Sequence, residues 1–260
     1  RATTAFRLVH EGGDALPGIA VDVYGDWLVL HVYAEGLDET PVLDALEALG
    51  FRGIYAKRRP AQANALGDTD ARERAPESPV RGAAAPVEAT VLEHGVRYLV
   101  RLGDGLSTGL FLDQREHRER VRSLASGRRV LNLFAYTCGF TVAAGVGGAV
   151  RTVSVDASRR ALDRGRENVL LAGLAEKDHE LVCGDAFDVL GSLARRKDEF
   201  DLVVCDPPTY ATTKSGRFTR KRWGELAERC VALLGPGGIL CATSNDRSLP
   251  DGALVRTVRG

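Results

Sequence analysis

Five short apolar runs between residues 128 and 243 are the feature that most constrains the fold of this chain. Each run has about five to seven residues. Segments of helical composition, such as SRRALDRGRENVLLAGL and AFDVLGSLARR, separate the first four. Apolar runs that alternate with helices are typical of a parallel sheet with helices on both faces. We therefore predict an α/β fold with a doubly wound, Rossmann-like sheet, whose strands are RRVLNLF, VRTVSVD, HELVCGD, FDLVVCD and GGILCAT.

A polar side chain stands at or near the carboxyl end of each of the first four predicted strands. In sheets of this type, ligands bind in the crevice outside the carboxyl ends, near the point where the strand order reverses. Four polar side chains in equivalent places are difficult to explain by packing. The sequence therefore predicts a ligand site at this edge, formed by Asn132, Asp156, Asp185 and Asp206.

Two of these acids indicate a cofactor that contains adenosine. Asp156 can accept hydrogen bonds from both hydroxyls of a ribose. Its alternative role is to cap the helix that begins ASRRAL, and both roles can coexist. Asp185 can accept a hydrogen bond from an adenine amino group, with Ala186 or Phe187 against the ring, and its alternative role is also that of a helix cap.

The loop after the first strand argues against a dinucleotide. A nicotinamide enzyme needs the pattern G-x-G-x-x-G there, because its backbone must approach a pyrophosphate. This chain has NLFAYTCGFTV, with the single glycine Gly139, and the later GVGGAV precedes a strand instead of following one. A loop without room for a pyrophosphate suits S-adenosylmethionine, which carries an adenosine and a charged amino-acid tail. We therefore expect S-adenosylmethionine as the cofactor.

The fourth strand ends in a stiff segment that is suited to a planar base. Asp206, Pro207 and Pro208 are followed by Tyr210. Proline fixes φ and donates no backbone hydrogen bond, so neighbouring carbonyls are held in place as acceptors. Asp206 and these carbonyls can accept hydrogen bonds from a base, on which Tyr210 can stack.

A basic run follows this segment. It has five positive residues in nine positions and no acid, which suits contacts with RNA phosphates. A charge run is more often a solvated face, but its place beside the Asp-Pro-Pro segment favours RNA. The predicted RNA-binding residues are Lys214, Arg217, Arg220, Lys221 and Arg222.

The strand and helix patterns of residues 1 to 102 predict a separate small α+β domain on the RNA or substrate side. A catalytic domain is expected to follow over residues 103–260. Two hairpins are expected, with turns at Gly25-Asp26 and His94-Gly95, because glycine supplies the positive φ that a tight turn needs. The segment ETPVLDALEALG has helical spacing. Residues 60–86 show no period and are rich in Ala, Pro and charge, which predicts a loop or mobile linker.

Composition limits the kinds of partner, cellular location and metal site that we expect for this chain. The formal net charge is zero, so attraction to nucleic acid must be local. The longest apolar runs have about seven residues, far short of a membrane span. No secretory signal pattern opens the chain. The five cysteines form no C-x-x-C pair, so we expect no metal site and a reducing, cytoplasmic location. The absence of methionine predicts that the chain is part of a longer protein.

Several stretches resemble one known family, the bacterial S-adenosylmethionine-dependent 23S ribosomal RNA methyltransferases of the large subunit. They are GLSTGLFLDQREHRERV, VLNLFAYTCGFTVAAGVGGA, VSVDASRRALDRGRENVLLAGL and DPPTY, and FRLVHEGGDALPGIAVDVYGDWLVL is similar to the family's small α+β domain. The resemblance covers nearly the whole chain and implies a class I methyltransferase fold and a 23S RNA substrate. With the strand-end residues, the implied cofactor contacts are Phe111, Asp113, Gln114, Arg115, Asn132, Phe134, Tyr136, Thr137, Gly139, Asp156, Ala157, Asp185, Ala186, Phe187 and Asp206.

The family contains two chemistries. The cytosine-C5 branch attacks the ring with a cysteine thiolate that follows a serine after the fifth strand. This chain has Asn245 there, and Cys241 lies four residues earlier. The segments SND and DPPTY resemble the guanine-N7 branch, in which a ring nitrogen attacks directly and positioning can suffice. We therefore expect guanine-N7 transfer without covalent catalysis, with Asp206, Pro207, Pro208, Tyr210 and Asn245 as catalytic residues.

The sequence is also compatible with three other functions. The main alternative is a cytosine-C5 methyltransferase for ribosomal RNA. A second is a methyltransferase for a small molecule or a protein on the same scaffold, and a third is a non-catalytic RNA-binding protein. The non-catalytic alternative is opposed by the presence of Asp156, Asp185 and Asp206. A protein without catalytic activity would not need all three carboxylates. The sequence leaves the oligomeric state and the target nucleotide open.

Overall fold

The computed structural model describes residues 2–59, 74–208, 211–213, 216–218 and 222–244. The chain divides into two compact units, Arg1–Arg115 and Glu116–Gly260. Tyr210, Lys214, Arg220, Lys221 and Asn245, which the sequence assigns to the site, lie outside the described residues. Residues 60–73 of the predicted linker 60–86 also lie outside them. The described part of that segment, residues 74–86, contains the short strand Arg81–Gly82, which corrects the prediction of a loop there.

The first unit is built on a five-stranded sheet in the order β1-β2-β3-β4-β5. Helix α1 (Thr40–Glu47) connects β3 to its parallel neighbour β4, and the other pairs are antiparallel. Apolar side chains of β2, β3 and β4 alternate toward Leu43 and Leu46 of α1 and form one core. The strands are β1 (Ala5–His10), β2 (Ile19–Tyr24), β3 (Trp27–Val32), β4 (Gly53–Arg58) and β5 (Arg81–Gly82).

Two hairpins of the first unit have the predicted turns. Strands β2 and β3 pair around Gly25, which has φ = 63°. Strands β6 (Ala89–Glu93) and β7 (Val96–Val100) pair around His94 and Gly95, with φ values of 48° and 80°. The positive φ at both glycines is the reason that the sequence locates these turns correctly.

Residues 103–110 are bonded to the core of the first unit. The Lys57 ammonium donates to the Gly105 carbonyl. The Thr108 hydroxyl donates to the Tyr24 hydroxyl at 2.9 Å, and the latter donates to the Leu110 carbonyl at 3.3 Å. Because of these bonds the division between the units falls after Arg115, whereas the sequence places the domain boundary at 102.

The second unit contains the predicted doubly wound sheet, which confirms the fold class. Five strands pair in parallel in the order β10-β9-β8-β11-β14. The chain adds β9 and β10 on one side of β8, and β11 and β14 on the other, so the strand order reverses between β8 and β11. The strands are β8 (Arg129–Leu133), β9 (Arg151–Asp156), β10 (His179–Cys183), β11 (Phe200–Cys205) and β14 (Leu234–Ala242).

Helices cover both faces of this sheet. Val130, Leu202 and Val204 pack with Val121 and Phe140 on one face. Neighbouring strand residues turn to the other face, where they pack with two further helices. The helices are α2 (Arg115–Leu124), α3 (Gly139–Val146), α4 (Arg159–Leu171), α5 (Ala186–Arg196) and α6 (Trp223–Val231), and a short hairpin joins β12 (Ala211–Thr213) to β13 (Gly216–Phe218).

Two exclusions hold for the part of the chain that the structure describes. None of its helices is both long enough and apolar enough to span a membrane. No group of His, Cys, Asp and Glu side chains within it could hold a metal ion.

Candidate cofactor and substrate site

The register of the parallel strands aligns their carboxyl ends at one edge. Leu133 of β8 is level with Val155 of β9 and Cys205 of β11. On the outer pairs, Cys183 is level with Asp156 and Cys205 with Ala242. The loops that follow these strands therefore leave the sheet side by side, and four of them contain described residues that the sequence predicts for the site.

The loop after β8, residues 134–138, has an unusual backbone. Phe134, Tyr136 and Cys138 have φ values of 57°, 49° and 62°. A non-glycine residue in this left-handed region costs about 1–3 kcal/mol, and such residues cluster at ligand sites. The loop opens at the point where the strand order reverses, which is where these sheets bind ligands. Its backbone and its position make this loop the candidate ligand-binding loop of the edge.

Asp156 holds this loop. One carboxylate oxygen accepts the Tyr136 N–H and the other accepts the Ser158 N–H, both at 2.8 Å. The cap of helix α4 is Ser158, whose hydroxyl accepts the Ala161 N–H at 3.2 Å. The structure thus gives Asp156 a role in ordering the cofactor loop, and the capping alternative belongs to Ser158. A carboxylate has about four acceptor positions, so these two bonds leave capacity for a ribose.

Asn132 does not line the edge, which corrects its predicted cofactor contact. It is 1% exposed and lies within β8, on the face that packs against α3. Its amide donates to the Thr141 hydroxyl at 2.9 Å, and that hydroxyl is 2.6 Å from the Ser154 hydroxyl. Asn132 therefore ties β8, α3 and β9 together beneath the edge. Thr137, at 3% exposure, is also buried below the loop surface.

Asp185 is the N-cap of α5. Its carboxylate accepts the Phe187 N–H at 2.9 Å, so the capping alternative is present in the structure. A bond to adenine from the same carboxylate stays a prediction. Ala186 is the first residue of this helix and is 6% exposed, and its predicted contact with the adenine ring stays a prediction.

The Phe187 ring is covered, which corrects its predicted place against adenine. The Arg222 guanidinium lies 3.7 Å from the ring centroid and that of Arg229 lies 5.5 Å away. The side chain is 7% exposed and belongs to the core between α5, α6 and the sheet. Phe187 therefore stabilises the helix pair through packing and cation–π contacts.

Arg222 is engaged within the second unit. It pairs with Glu225 at 3.1 Å as well as covering Phe187. Its hydrogen bond lowers the pKa of Glu225. The predicted contact between Arg222 and an RNA phosphate stays a prediction. Arg217 lies in β13, and its phosphate contact stays a prediction.

The Asp-Pro-Pro segment leaves β11 next to β14. Asp206 is half-buried and accepts a hydrogen bond from the Thr243 hydroxyl. The Thr243 N–H donates to the Cys205 carbonyl at 3.0 Å, which continues the parallel pairing beyond the strands. Pro207 is buried and Pro208 is exposed. The sequence analysis missed Thr243, although its position after the fifth strand is a signal that could have found it.

The cysteines nearest to Asp206 are protonated at neutral pH. Cys205 is fully buried, and its burial raises the pKa of its thiol. Burial also raises the pKa of Cys241, to which the charge of Asp206 adds. Since the thiolate is the nucleophile, neither cysteine is preformed for attack on a base.

The other predicted contacts fall in two places. Phe111 is 45% exposed and Gln114 is 8% exposed, and both lie near the end of the first unit with Asp113 and Arg115. Their predicted contact with a cofactor stays a prediction. Gly139 is the first residue of α3, and Ala157 is exposed directly after β9.

Comparisons with known proteins agree with this geometry. Residues 6–260 match the model of the S-adenosylmethionine-dependent methyltransferase family. The chain is 35% identical over 244 residues to ribosomal RNA large subunit methyltransferase I of Escherichia coli K12, covering 92% of the chain and 60% of that protein. It is 33% identical over 249 residues to YwbD of Bacillus subtilis, named as a candidate ribosomal RNA large subunit methyltransferase, covering 94% and 61%. The chain thus spans about three fifths of the length of these curated relatives.

Solved structures of candidate methyltransferases superpose on this chain over almost its whole length. A crystal structure of SMU.776, a candidate methyltransferase complexed with SAH, superposes with a TM-score of 0.87 at 30% identity, covering 99% of this chain and 66% of that one. A candidate methyltransferase structure from Streptococcus mutans has a TM-score of 0.84 at 29% identity, covering 99% and 65%.

Proposed function

Because this chain belongs to the S-adenosylmethionine-dependent methyltransferase family, we propose that it transfers a methyl group from S-adenosylmethionine to a base of large-subunit ribosomal RNA. The relatives named as ribosomal RNA large subunit methyltransferases support RNA as the substrate class. The observation that carries the proposal is the left-handed loop 134–138, which Asp156 fixes at the point of strand reversal.

The residues at this edge fit S-adenosylmethionine. Asp156 ends β9 with a half-buried carboxylate, which suits the two ribose hydroxyls. Helix α3 begins at Gly139, and the positive end of a helix dipole favours the carboxylate of the amino-acid tail. Asp185 follows β10 on the far side of Asp156, on the side suited to adenine. When bound, the cofactor supplies an electrophilic methyl group.

The substrate side of the proposed site lies across the strand reversal. Asp206 follows β11, which is paired with β8, so its carboxylate stands next to the cofactor loop along the edge. The Thr243 hydroxyl binds one carboxylate oxygen and so fixes the orientation of the other. A fixed carboxylate can accept a hydrogen bond from the amino group of a base and hold that base in line with the methyl group.

As the atom that accepts the methyl group, we propose cytosine C5 as the first candidate. The relatives support this alternative better than guanine N7, which the sequence analysis preferred and which is not confirmed. Methyl transfer to C5 requires a thiolate that adds to the neighbouring C6, because carbon 5 is otherwise a weak nucleophile. Loss of the C5 proton after the transfer breaks the bond between C6 and sulfur and releases the thiolate. Cys241 is the thiol nearest in the chain to the position after the fifth strand.

Guanine N7 remains as a second candidate on one specific observation. The position that carries the thiolate in the C5 branch is Asn245 here. An amide cannot form the covalent bond to the ring. In addition, the raised pKa of Cys241 opposes thiolate formation at neutral pH.

Nucleoside analysis of methylated RNA tests these alternatives. The purified protein would be incubated with methyl-labelled S-adenosylmethionine and with large-subunit RNA from a strain that lacks it. We expect labelled 5-methylcytidine and a covalent protein–RNA adduct with 5-fluorocytidine RNA. Labelled 7-methylguanosine without an adduct would select guanine N7. Label found only on protein or on a small molecule would overturn the RNA proposal.

The variant Asp206→Asn tests the proposed role of this carboxylate in positioning the base. It keeps the size of the side chain but changes its charge, and we expect at least about a hundredfold lower turnover through lost positioning of the base. Asp206 is also a predicted cofactor contact, and affinity for S-adenosylmethionine separates the two roles. If Asp206 only holds the base, this affinity should be nearly unchanged, because the other proposed cofactor contacts lie on the other side of the strand reversal.

A further inference from the structure

Helix α4 contacts the cofactor loop through one face. Gly165 and Asn168 lie three residues apart, so they share that face. A Cβ atom built on Gly165 would lie 2.4 Å from the Cys138 sulfur and 3.0 Å from the Cys138 Cβ. The Asn168 amide donates to the Thr137 carbonyl at 3.0 Å. The helix therefore reaches the loop at a place where a side chain on residue 165 does not fit.

The choice of residues at these positions is not explained by helix formation. Glycine is unfavourable inside a helix compared with alanine, and asparagine is a weak helix former. Gly165 is buried and Asn168 is 2% exposed, so neither serves a solvated surface. The close approach of the loop accounts for both residues, through the Cys138 side chain at Gly165 and the Thr137 carbonyl at Asn168.

The loop is thus held from two sides. Asp156 accepts the Tyr136 N–H, and Asn168 donates to the carbonyl of the next residue, Thr137. Tyr136 and Cys138, on either side of that residue, have left-handed backbones. Because such conformations are unfavourable for non-glycine residues, a loop without these restraints would relax to a more common backbone. Binding would then have to include the cost of ordering the loop again.

We infer that Gly165 and Asn168 are positioning residues that set the affinity for S-adenosylmethionine by holding loop 134–138 in its binding conformation. This inference rests on the proposed function, since it assumes that the loop binds the cofactor. Neither residue needs to touch the cofactor, because each acts on the loop from the side of the helix.

The first test is the variant Gly165→Ala, with Gly191→Ala as its matched control. Gly191 lies inside α5, where an added Cβ would meet only the flexible end of Arg195 at 3.6 Å. Both changes improve helix propensity equally. We expect at least tenfold weaker S-adenosylmethionine binding for Gly165→Ala in calorimetry. Gly191→Ala should bind like the wild type and melt at the same or a higher temperature.

The second test is Asn168→Leu, which keeps the number and branching of the side-chain heavy atoms but removes the donor to Thr137. We expect a Kd for S-adenosylmethionine that is at least five times higher. The KM for the cofactor should rise while kcat at saturating cofactor is retained, which a general loss of folded protein would not produce. This variant also decides the matter if Gly165→Ala does not fold.

The outcomes separate this inference from the proposed function. If the wild type itself binds no S-adenosylmethionine, the proposed function fails and the inference fails with it. If the wild type binds and a folded variant binds equally well, the role of that residue is overturned while the proposed function stands. Weaker binding in both variants, with the control unchanged, supports the inference.

Discussion

Replacing Asp156 with alanine tests the cofactor site most directly. The carboxylate accepts two backbone N–H groups at 2.8 Å, from Tyr136 in the loop and from Ser158 at the start of α4. The change removes both bonds and, on our proposal, the acceptor for the ribose hydroxyls. We therefore expect two effects, a smaller free energy of unfolding and weaker binding of S-adenosylmethionine.

The two effects can be estimated separately. Hydrogen bonds to a charged group contribute about 1.5–3 kcal/mol each when well formed. Asp156 is half-buried, so solvent will replace part of this, and we expect a loss of roughly 1–3 kcal/mol in stability for the pair. Loss of the charge-assisted ribose bonds should weaken binding by a further ~1–3 kcal/mol, which is about 5- to 150-fold in Kd.

Asp201→Ala is the matched control. The Asp201 carboxylate accepts the Arg129 N–H, also at 2.8 Å, but at the amino-terminal edge of the same sheet. Denaturant titration and calorimetry would be carried out on both variants. Asp201→Ala should lose stability and bind the cofactor like the wild type. Unchanged cofactor affinity in Asp156→Ala would refute the ribose role, and an equal loss in both variants would point to general destabilisation.

Three further predictions concern other parts of the chain. Thr243→Val should lower turnover about tenfold while Thr243→Ser retains it, because only the hydroxyl holds the carboxylate after β11; equal turnover in both variants would contradict this. Burial lowers the pKa of Lys57 to about 7, below its unfolded value, so the unfolded state binds more protons above pH 7. Unfolding free energy should thus rise from pH 7 to 8.5 by up to about 1.4 kcal/mol per unit, and Lys57→Met should reduce that slope in denaturant titrations. Changing Arg220, Lys221 and Arg222 together to Gln should flatten the salt dependence of RNA binding by about 0.7 for each phosphate that the protein no longer neutralises, and an unchanged salt slope would show that the run is only a solvated surface.

The sheet and its edge follow from the sequence because strand periodicity and strand order depend on local patterns. Apolar runs interrupted by helical segments predict parallel strands, and parallel strands must end at a common edge. That argument correctly brings Asp156 and Asp206 to the same edge, on either side of the loop that follows β8. It does not give the direction of a side chain within a strand, and Asn132 points beneath the edge because it lies one residue before the end of β8.

Other features depend on contacts that pattern reasoning cannot supply. The left-handed backbone at Phe134, Tyr136 and Cys138 has no glycine to signal it, since its cost is met by tertiary hydrogen bonds. Phe187 is an aromatic residue next to a predicted adenine ligand, yet guanidinium groups from α6 and the residue before it cover its ring. Only the three-dimensional packing distinguishes that arrangement from stacking on a base.

The strand order also has a consequence for how the protein is made. Strands β8, β9 and β10 are consecutive in the chain and adjacent in the sheet, so they can pair before β11 has been synthesised. They carry loop 134–138, Asp156 and helix α4, whereas Asp206 and Thr243 come from the two strands that are added last. Since domains on the ribosome form from the N-terminus onward, the half that is proposed to bind the cofactor can assemble first, and the half that is proposed to hold the base is completed against it.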